Sequence, residues 1–150
     1  QRIVSLDALL VEAGDFAQTV DHARPIHVHV GSSLEIWVDP GRIAQVLRNL
    51  VTNALKYTPP GTPIQIRSRR DQDRAWLAVV DQGPGIAPED QELIFSRFGR
   101  GKHHTEHKIP GLGLGLYLSQ RIVEAHGGEL SVTSTPGQGA SFAFSVPLAP

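Results

Sequence analysis

The sequence predicts a two-layer α/β sandwich of one domain. Segments whose apolar residues recur at helical spacing alternate with short β-favouring runs, and glycine, proline and polar turn residues punctuate nearly every junction. The chain of 150 residues is 40% hydrophobic, enough to close a single core.

The first element expected is a helix near Ser5 to His22. Ile3, Leu6, Leu10, Ala13, Ala17 and Val20 follow one another at spacings of three and four, which suits a bundle seam or a helix laid over a sheet; the covering helix is the reading adopted. Strands follow near Ile26 to Val30 and Glu35 to Val38, where His27 and His29 alternate as surface imidazoles. Asp39 is a good N-cap and Pro40 suits a first helical turn, so a second helix starts there with Ile43, Val46, Leu47, Leu50 and Ala54 on its apolar face. Ile64 to Arg69 and Ala75 to Val80 form a hairpin around the polar turn Arg70-Asp71-Gln72-Asp73. A short helix is expected after Pro88. A further helix carries Leu114, Leu118, Ile122 and Ala125 and stops at Gly127-Gly128, before strands at Glu129 to Ser134 and Ser141 to Val146.

A formal net charge of −1 gives no broad basic footprint for nucleic acid, and the short cluster Arg67, Arg69 and Arg70 reads as a solvated strand end. The absence of cysteine rules out a disulfide framework and a thiolate metal site. No apolar run is long enough for a membrane span, and no signal-peptide pattern is present, which leads to the expectation of a soluble, cytoplasmic piece.

Three local patterns carry chemistry. On the second helix Asn49, Asn53 and Lys56 fall within an arc of roughly 60° beside the apolar face, with Tyr57 at its edge. Amides and an ammonium in such a stripe suit a magnesium-nucleotide site, although a solvated flank has the same composition. The apolar run Trp76 to Val80 ends in Asp81-Gln82-Gly83-Pro84-Gly85-Ile86, which places a carboxylate acceptor beside glycines that let backbone approach a planar ring. Adenine fits that chemistry, and so does an ordinary turn. Gly111-Leu112-Gly113-Leu114-Gly115-Leu116 then precedes a helix, where unobstructed N–H groups and the helix dipole make a phosphate cradle. Its spacing is neither the Rossmann fingerprint nor the P-loop. Between these lies Gly99 to Pro110, polar and basic, in which Arg100 and Lys102 are placed to screen a polyphosphate; His103 and His107 lack the companions of a metal site.

In this order the patterns resemble the catalytic ATP-binding domain of sensor histidine kinases, in the superfamily shared with type II topoisomerases, heat-shock chaperones and mismatch-repair ATPases. Asn49 to Thr58 looks like the asparagine box, Asp81 to Ile86 the first glycine box, Ile94 to Phe98 the phenylalanine box and Gly111 to Leu116 the second glycine box. Gly137-Gln138-Gly139-Ala140-Ser141-Phe142 is similar to the final glycine motif, so the resemblance covers roughly residues 26 to 148. It implies a Bergerat-type fold: a mixed β-sheet with helices packed on one face and a mobile lid over ATP. It also implies that Asn53 coordinates Mg2+, Lys56 contacts phosphate, Tyr57 packs beside adenine and Asp81 recognises the adenine amino group, with Gly83, Gly85, Ile86, Ala140 and the second glycine box completing the ATP site. Phe95 and Phe98 anchor the base of the lid or simply pack a core. Ser96 and Ala140 depart from the acidic residue and the threonine that many relatives carry.

Asn49 points to the reaction class. The superfamily's ATPases usually hold a glutamate here as general base, and an amide cannot take that proton. The resemblance therefore implies transfer of the γ-phosphoryl group to a histidine on a separate dimerisation domain of the same parent, with Asn49, Asn53 and Lys56 as the catalytic group. That domain's phosphoacceptor motif is not found here; His22-Ala23-Arg24-Pro25 has the wrong spacing. Residues 1–24 are accordingly expected to be a linker and first helix following it, and residues 25–150 the catalytic domain. A response regulator is an indirect partner, nucleic acid and direct membrane contact are not expected, and the domain belongs on the cytoplasmic side of a membrane-bound sensor. A nucleotide-binding regulatory module without phosphotransfer and an anti-sigma-type serine kinase are the alternatives.

Overall fold

The computed structural model describes residues 1–83, 112–134 and 137–150. Strands β1 (Arg2–Ser5) and β3 (Glu35–Val38) pair antiparallel as a small ribbon. The main sheet has five strands in the order β2 (Ile26–Val28), β4 (Ile64–Asp71), β5 (Arg74–Val80), β7 (Ala140–Pro147) and β6 (Leu130–Ser134). It is mixed: β2 runs parallel to β4, and the other neighbours are antiparallel. Helices α1 (Leu6–Val20), α2 (Pro40–Tyr57) and α3 (Leu112–Ala125) supply the second layer. Among the described residues no helix is long and apolar enough to cross a membrane.

The layers share one core. Ile64, Ile66, Leu77, Val79, Phe142 and Phe144 point from the sheet into side chains of α2 such as Ile43, Leu47 and Leu50, all buried. Leu6, Leu10, Ala13 and Ala17 of α1 join the same cluster, so the chain on either side of residue 24 packs as one body. Helix α1 lies on α2 and on the β2 edge of the sheet, as a covering helix does. Its Gly14 leaves room for Val28, against which a Cβ would collide.

Local chemistry sets the ends. Ser5 caps α1 through Ala8 N, and Asp39 caps α2 by accepting from Gly41 N and Arg42 N, with Pro40 in the first turn. Asp7 holds the turn that follows β2, taking bonds from Gly31 N at 2.9 Å and Ser32 Oγ at 3.0 Å. The Gly31 bond comes first among the causes that hold its carboxyl below the ordinary value. His126 joins two helices: Nδ1 faces Ile122 O at 2.8 Å and Nε2 accepts from Asp39 N at 3.1 Å, which makes Nδ1 the protonated nitrogen.

Several expected bounds shift. Ile3 belongs to β1, half exposed, because pairing with Trp37 of β3 outweighs its helical spacing to Leu6. Val20, the other end of that series, is exposed as well. Strand β2 stops at Val28, where the chain turns away towards Gly31. The hairpin is tighter than expected: β4 runs through Asp71 and β5 begins at Arg74, because Gln72 takes a left-handed φ of 58° and closes the turn in two residues. Leu112 to Leu116 lie inside α3, so Gly113 and Gly115 are in its first turns and not in a loop before it. The expected helix after Pro88, the phenylalanine box, the loop Gly99–Pro110 with its lid role, and His103 and His107 lie outside the described residues.

Candidate functional site

The site is built around the sheet-facing end of α2. Asp81 follows β5, whose antiparallel partner β7 begins at Ala140; Asp81 N donates to Ala140 O at 2.9 Å. The carboxylate turns inward, only 9% exposed, and its Oδ1 accepts from Gly83 N at 2.9 Å and Ala140 N at 3.1 Å. Oδ2 has no donor among the described residues. Burial raises the Asp81 pKa above the ordinary 3.8, and the two backbone bonds offset part of that rise. A buried carboxylate with one oxygen fixed and the other without a donor among the described residues can serve as a single, aimed hydrogen-bond acceptor.

Two glycines make this placement possible. A Cβ on Gly83 would stand 2.8 Å from Thr58 Cγ2, 3.1 Å from Tyr57 O and 3.3 Å from Asp81 Oδ1. The turn after β5 therefore lies directly on the end of α2. Gly139, at φ 88°, sits against the backbone of Asp81 and Gln82, where a side chain would overlap Asp81 O. That close approach is what delivers Ala140 N to the carboxylate. The sequence assigned Ala140 to the site through its motif; the backbone bond that gives it a role spans 59 residues and has no local signature.

Along α2 the polar stripe divides by environment. Asn53 is buried, 7% exposed, and its Nδ2 has no hydrogen-bond partner among the described residues. Leaving a buried amide unpaired costs about 1–3 kcal/mol, so such a group marks a place where a ligand completes the structure. Lys56 is exposed, and Tyr57 is half-buried against the core. Asn49, one turn before Asn53, donates through Nδ2 to Ser119 Oγ of α3 at 3.1 Å. Ser119 is completely buried, and it ties the stripe to the helix whose first turns carry the glycine cradle. From Asn49 to Tyr57 the helix rises about 12 Å, so one end of the stripe meets α3 and the other meets Asp81.

Helix α3 opens with Leu112, Gly113, Leu114 and Gly115 in helical conformation. The first four N–H groups of a helix have no partner within it, so the cradle expected from the glycines is the N-terminal turn itself. A Cβ on Gly115 would meet nothing within 4 Å, whereas Leu116 is fully buried and packs the core. Gly85, Ile86, Arg100, Lys102 and Gly111 lie outside the described residues.

Two residues beside the site were not singled out from the sequence. Ser119 is one. The other is Arg24, 4% exposed, whose guanidinium grips the end of α2: Nη2 donates to Leu55 O at 3.0 Å and Nη1 to Thr58 Oγ1 at 2.7 Å. Nη1 also reaches Pro59 O and Thr62, and Nε pairs with Asp21 at 3.1 Å. Among the described residues no group of three His, Cys, Asp or Glu side chains could hold a metal ion. An oxygen-seeking ion would here depend on an amide such as that of Asn53 and on the oxygens of its ligand.

Residues 38–150 match the family described as histidine kinase-, DNA gyrase B-, and HSP90-like ATPase. The chain is 40% identical over 116 residues to the sensor-like histidine kinase SenX3 of Mycobacterium tuberculosis, a match covering 77% of this chain and 28% of that protein. It is similar in structure to the mycobacterial sensor histidine kinase MprB, with a TM-score of 0.84 at 27% identity over 99% of this chain and 98% of that one. Full-length ShkA in complex with AMPPNP gives a TM-score of 0.84 at 31% identity, covering 97% of this chain and 30% of that one.

Proposed function

This chain belongs to the histidine kinase-, DNA gyrase B- and HSP90-like ATPase family, and on that premise we propose that it is the catalytic ATP-binding domain of a sensor histidine kinase, passing the γ-phosphoryl group of ATP to a histidine of a separate dimerisation domain. The chain spans 28% of SenX3, so the acceptor domain, the downstream response regulator and a cytoplasmic position beneath a membrane-bound sensor belong to the proposal. In this reading residues 25–150 are the catalytic domain and residues 1–24 lead into it.

The observation that carries the nucleotide assignment is Asp81, buried with Oδ1 committed to Gly83 and Ala140. Its Oδ2 would accept from the exocyclic amine of adenine, with Tyr57 and the close-packed Gly83 bounding the ring. The α3 N-terminal turn would receive the phosphates with Lys56. AMPPNP, an adenine nucleotide, is held by the structurally similar ShkA.

Magnesium fits the donors on hand. Asn53 is buried and makes no hydrogen bond among the described residues, so its Oδ1 would be open to act as the ion ligand while Nδ2 would turn to an acceptor on the nucleotide. When bound with the nucleotide, the ion supplies charge neutralisation to the phosphate oxygens. The protein's own work is positioning. Asp81 would fix one end of the nucleotide, and α2 and α3 would orient the other. Asn49, with its amide held on Ser119, offers no base to a water molecule, which favours an acceptor that brings its own nucleophile.

The test is phosphotransfer from labelled ATP to the cognate acceptor domain supplied in trans. Label appearing on the acceptor histidine with little release of free phosphate is the expected result; rapid hydrolysis by the isolated chain with no transfer sinks the proposal. Asn53→Ala should remove at least about 99% of magnesium-dependent transfer while weakening nucleotide binding by a smaller factor. Full transfer activity in that variant would refute the ion assignment.

A further inference from the structure

The face of the five-stranded sheet turned away from the helices carries a second recess, unrelated to the nucleotide site. Alternation along the strands sends Ile66, Leu77, Val79, Phe142 and Phe144 into the core and their neighbours outward. In the outward row Arg67, Ala78, Ala143 and Ser131 stand side by side across β4, β5, β7 and β6. The two alanines form a low floor between taller neighbours, which leaves a trough of about 400 Å³. Arg69 and Trp76 wall one side, and Thr133 and Ser141 the other.

The chemistry of this lining is one-sided. Its charged groups are two guanidinium donors, and no carboxylate is among the lining residues. Ser131, Thr133 and Ser141 add hydroxyl donors that have no side-chain hydrogen bond to any described residue. The arginines are only loosely engaged. Arg67 reaches Gln65 Oε1 at 3.3 Å, and Arg69 lies 5.5 Å from the centre of the Trp76 ring and 3.6 Å from Asp71. A charge-assisted bond is normally about 2.7–2.9 Å long, so the Asp71 contact leaves Arg69 free to take a closer carboxylate. Stacking on Trp76 holds its guanidinium at the rim without using its N–H groups.

Geometry selects the ligand. Arg67 and Arg69 are alternate residues of one strand, so both guanidinium groups rise from the same face of the sheet at one end of the trough. Nucleic acid would require a broader basic surface than two arginines on a chain of net charge −1. We propose that this trough docks an extended acidic segment of a partner polypeptide, lying across the strands over the Ala78–Ala143 floor with its carboxylates at the end where Arg67 and Arg69 stand. The small, solvent-bordered contact makes the association transient and sensitive to salt.

The test is fluorescence polarisation of a labelled short peptide of alternating glutamate and threonine, titrated with the chain at low salt. Saturable binding is expected, weakened at least about tenfold by Arg67→Glu with Arg69→Glu, whose side chains are exposed and outside the core. Ala143→Leu, which fills the floor without changing charge, should weaken it comparably, and ATP binding should be unchanged in each variant. No saturable binding, equal affinity in the variants, or tighter binding of a short oligothymidylate than of the peptide would each overturn the proposal.

Discussion

Asp81→Asn should lower adenine-nucleotide affinity at least about a hundredfold while leaving the folded chain no less stable at neutral pH. The asparagine Oδ1 can still accept from Gly83 N and Ala140 N, so the turn keeps its two backbone bonds. The second position changes from acceptor to donor, and an adenine amine would then face an N–H group. Stability follows from the direction of the pKa shift. Burial raises the carboxyl's pKa in the folded state, so the folded chain binds more protons than the unfolded chain between the two values. The contribution to stability is complete below the unfolded pKa and is lost as pH rises through the folded one. At neutral pH an ionised Asp81 therefore opposes folding, and the neutral amide removes that penalty. Nucleotide binding should move with pH in the other sense, failing on acidification as Asp81 protonates, at a higher pH than an unshifted carboxylate would require. Calorimetric titration and thermal melts of the two proteins across acid and neutral pH measure both. Equal ATP affinity in the variant, or a variant clearly less stable at neutral pH, would contradict the role given to Asp81.

Helix α2 was fully legible in the sequence because its determinants are local. A capping aspartate, a first-turn proline and a periodic apolar face lie within one segment, and the structure starts the helix at Pro40 behind the Asp39 cap, as expected. The hairpin and the last two strands were legible for the same reason, and so was the mixed sheet once the boxes suggested a family. Strand β1 was not. Four residues with an isoleucine in phase with the following helix gain their conformation from β3, more than thirty positions later. The site shows the same division. Asn53 and Asp81 were evident from type and setting, but Arg24, Ser119 and the bond from Ala140 act across 34, 70 and 59 residues. A serine in a helix or an arginine before a proline carries no mark of its distant partner. The nearest available signal for Arg24 was that an arginine lay just ahead of a strand beginning with isoleucine, which is too common to single it out.

Arg24→Ala should destabilise the chain by about 3 kcal/mol or more, roughly a 10 °C fall in Tm for a domain of this size, and should weaken ATP binding as a consequence. The guanidinium satisfies the carbonyls of Leu55, Pro59 and Thr62 and the hydroxyls of Thr58 and Thr62 from a single buried position. Leu55 belongs to the last turn of α2, whose carbonyls have no partner within the helix and favour a cation. Truncation leaves these acceptors to water or to nothing, and leaves a cavity where the side chain lay. The loss reaches the nucleotide site through Thr58. That residue bonds Ala54 O at 2.7 Å through Oγ1 and packs Cγ2 against Gly83, which in turn donates to Asp81. A looser Thr58 lets the Gly83 turn drift, and Oδ2 of Asp81 loses its aim. Arg24→Lys separates packing from geometry: its ammonium keeps the charge but cannot span both branches of the fork, so it should recover part of the stability and little of the affinity. Melting curves and ATP titrations below the transition of the weakest variant test this. Wild-type affinity in Arg24→Lys together with a lowered Tm would mean that Arg24 only supports the fold and does not key the end of α2 to Asp81.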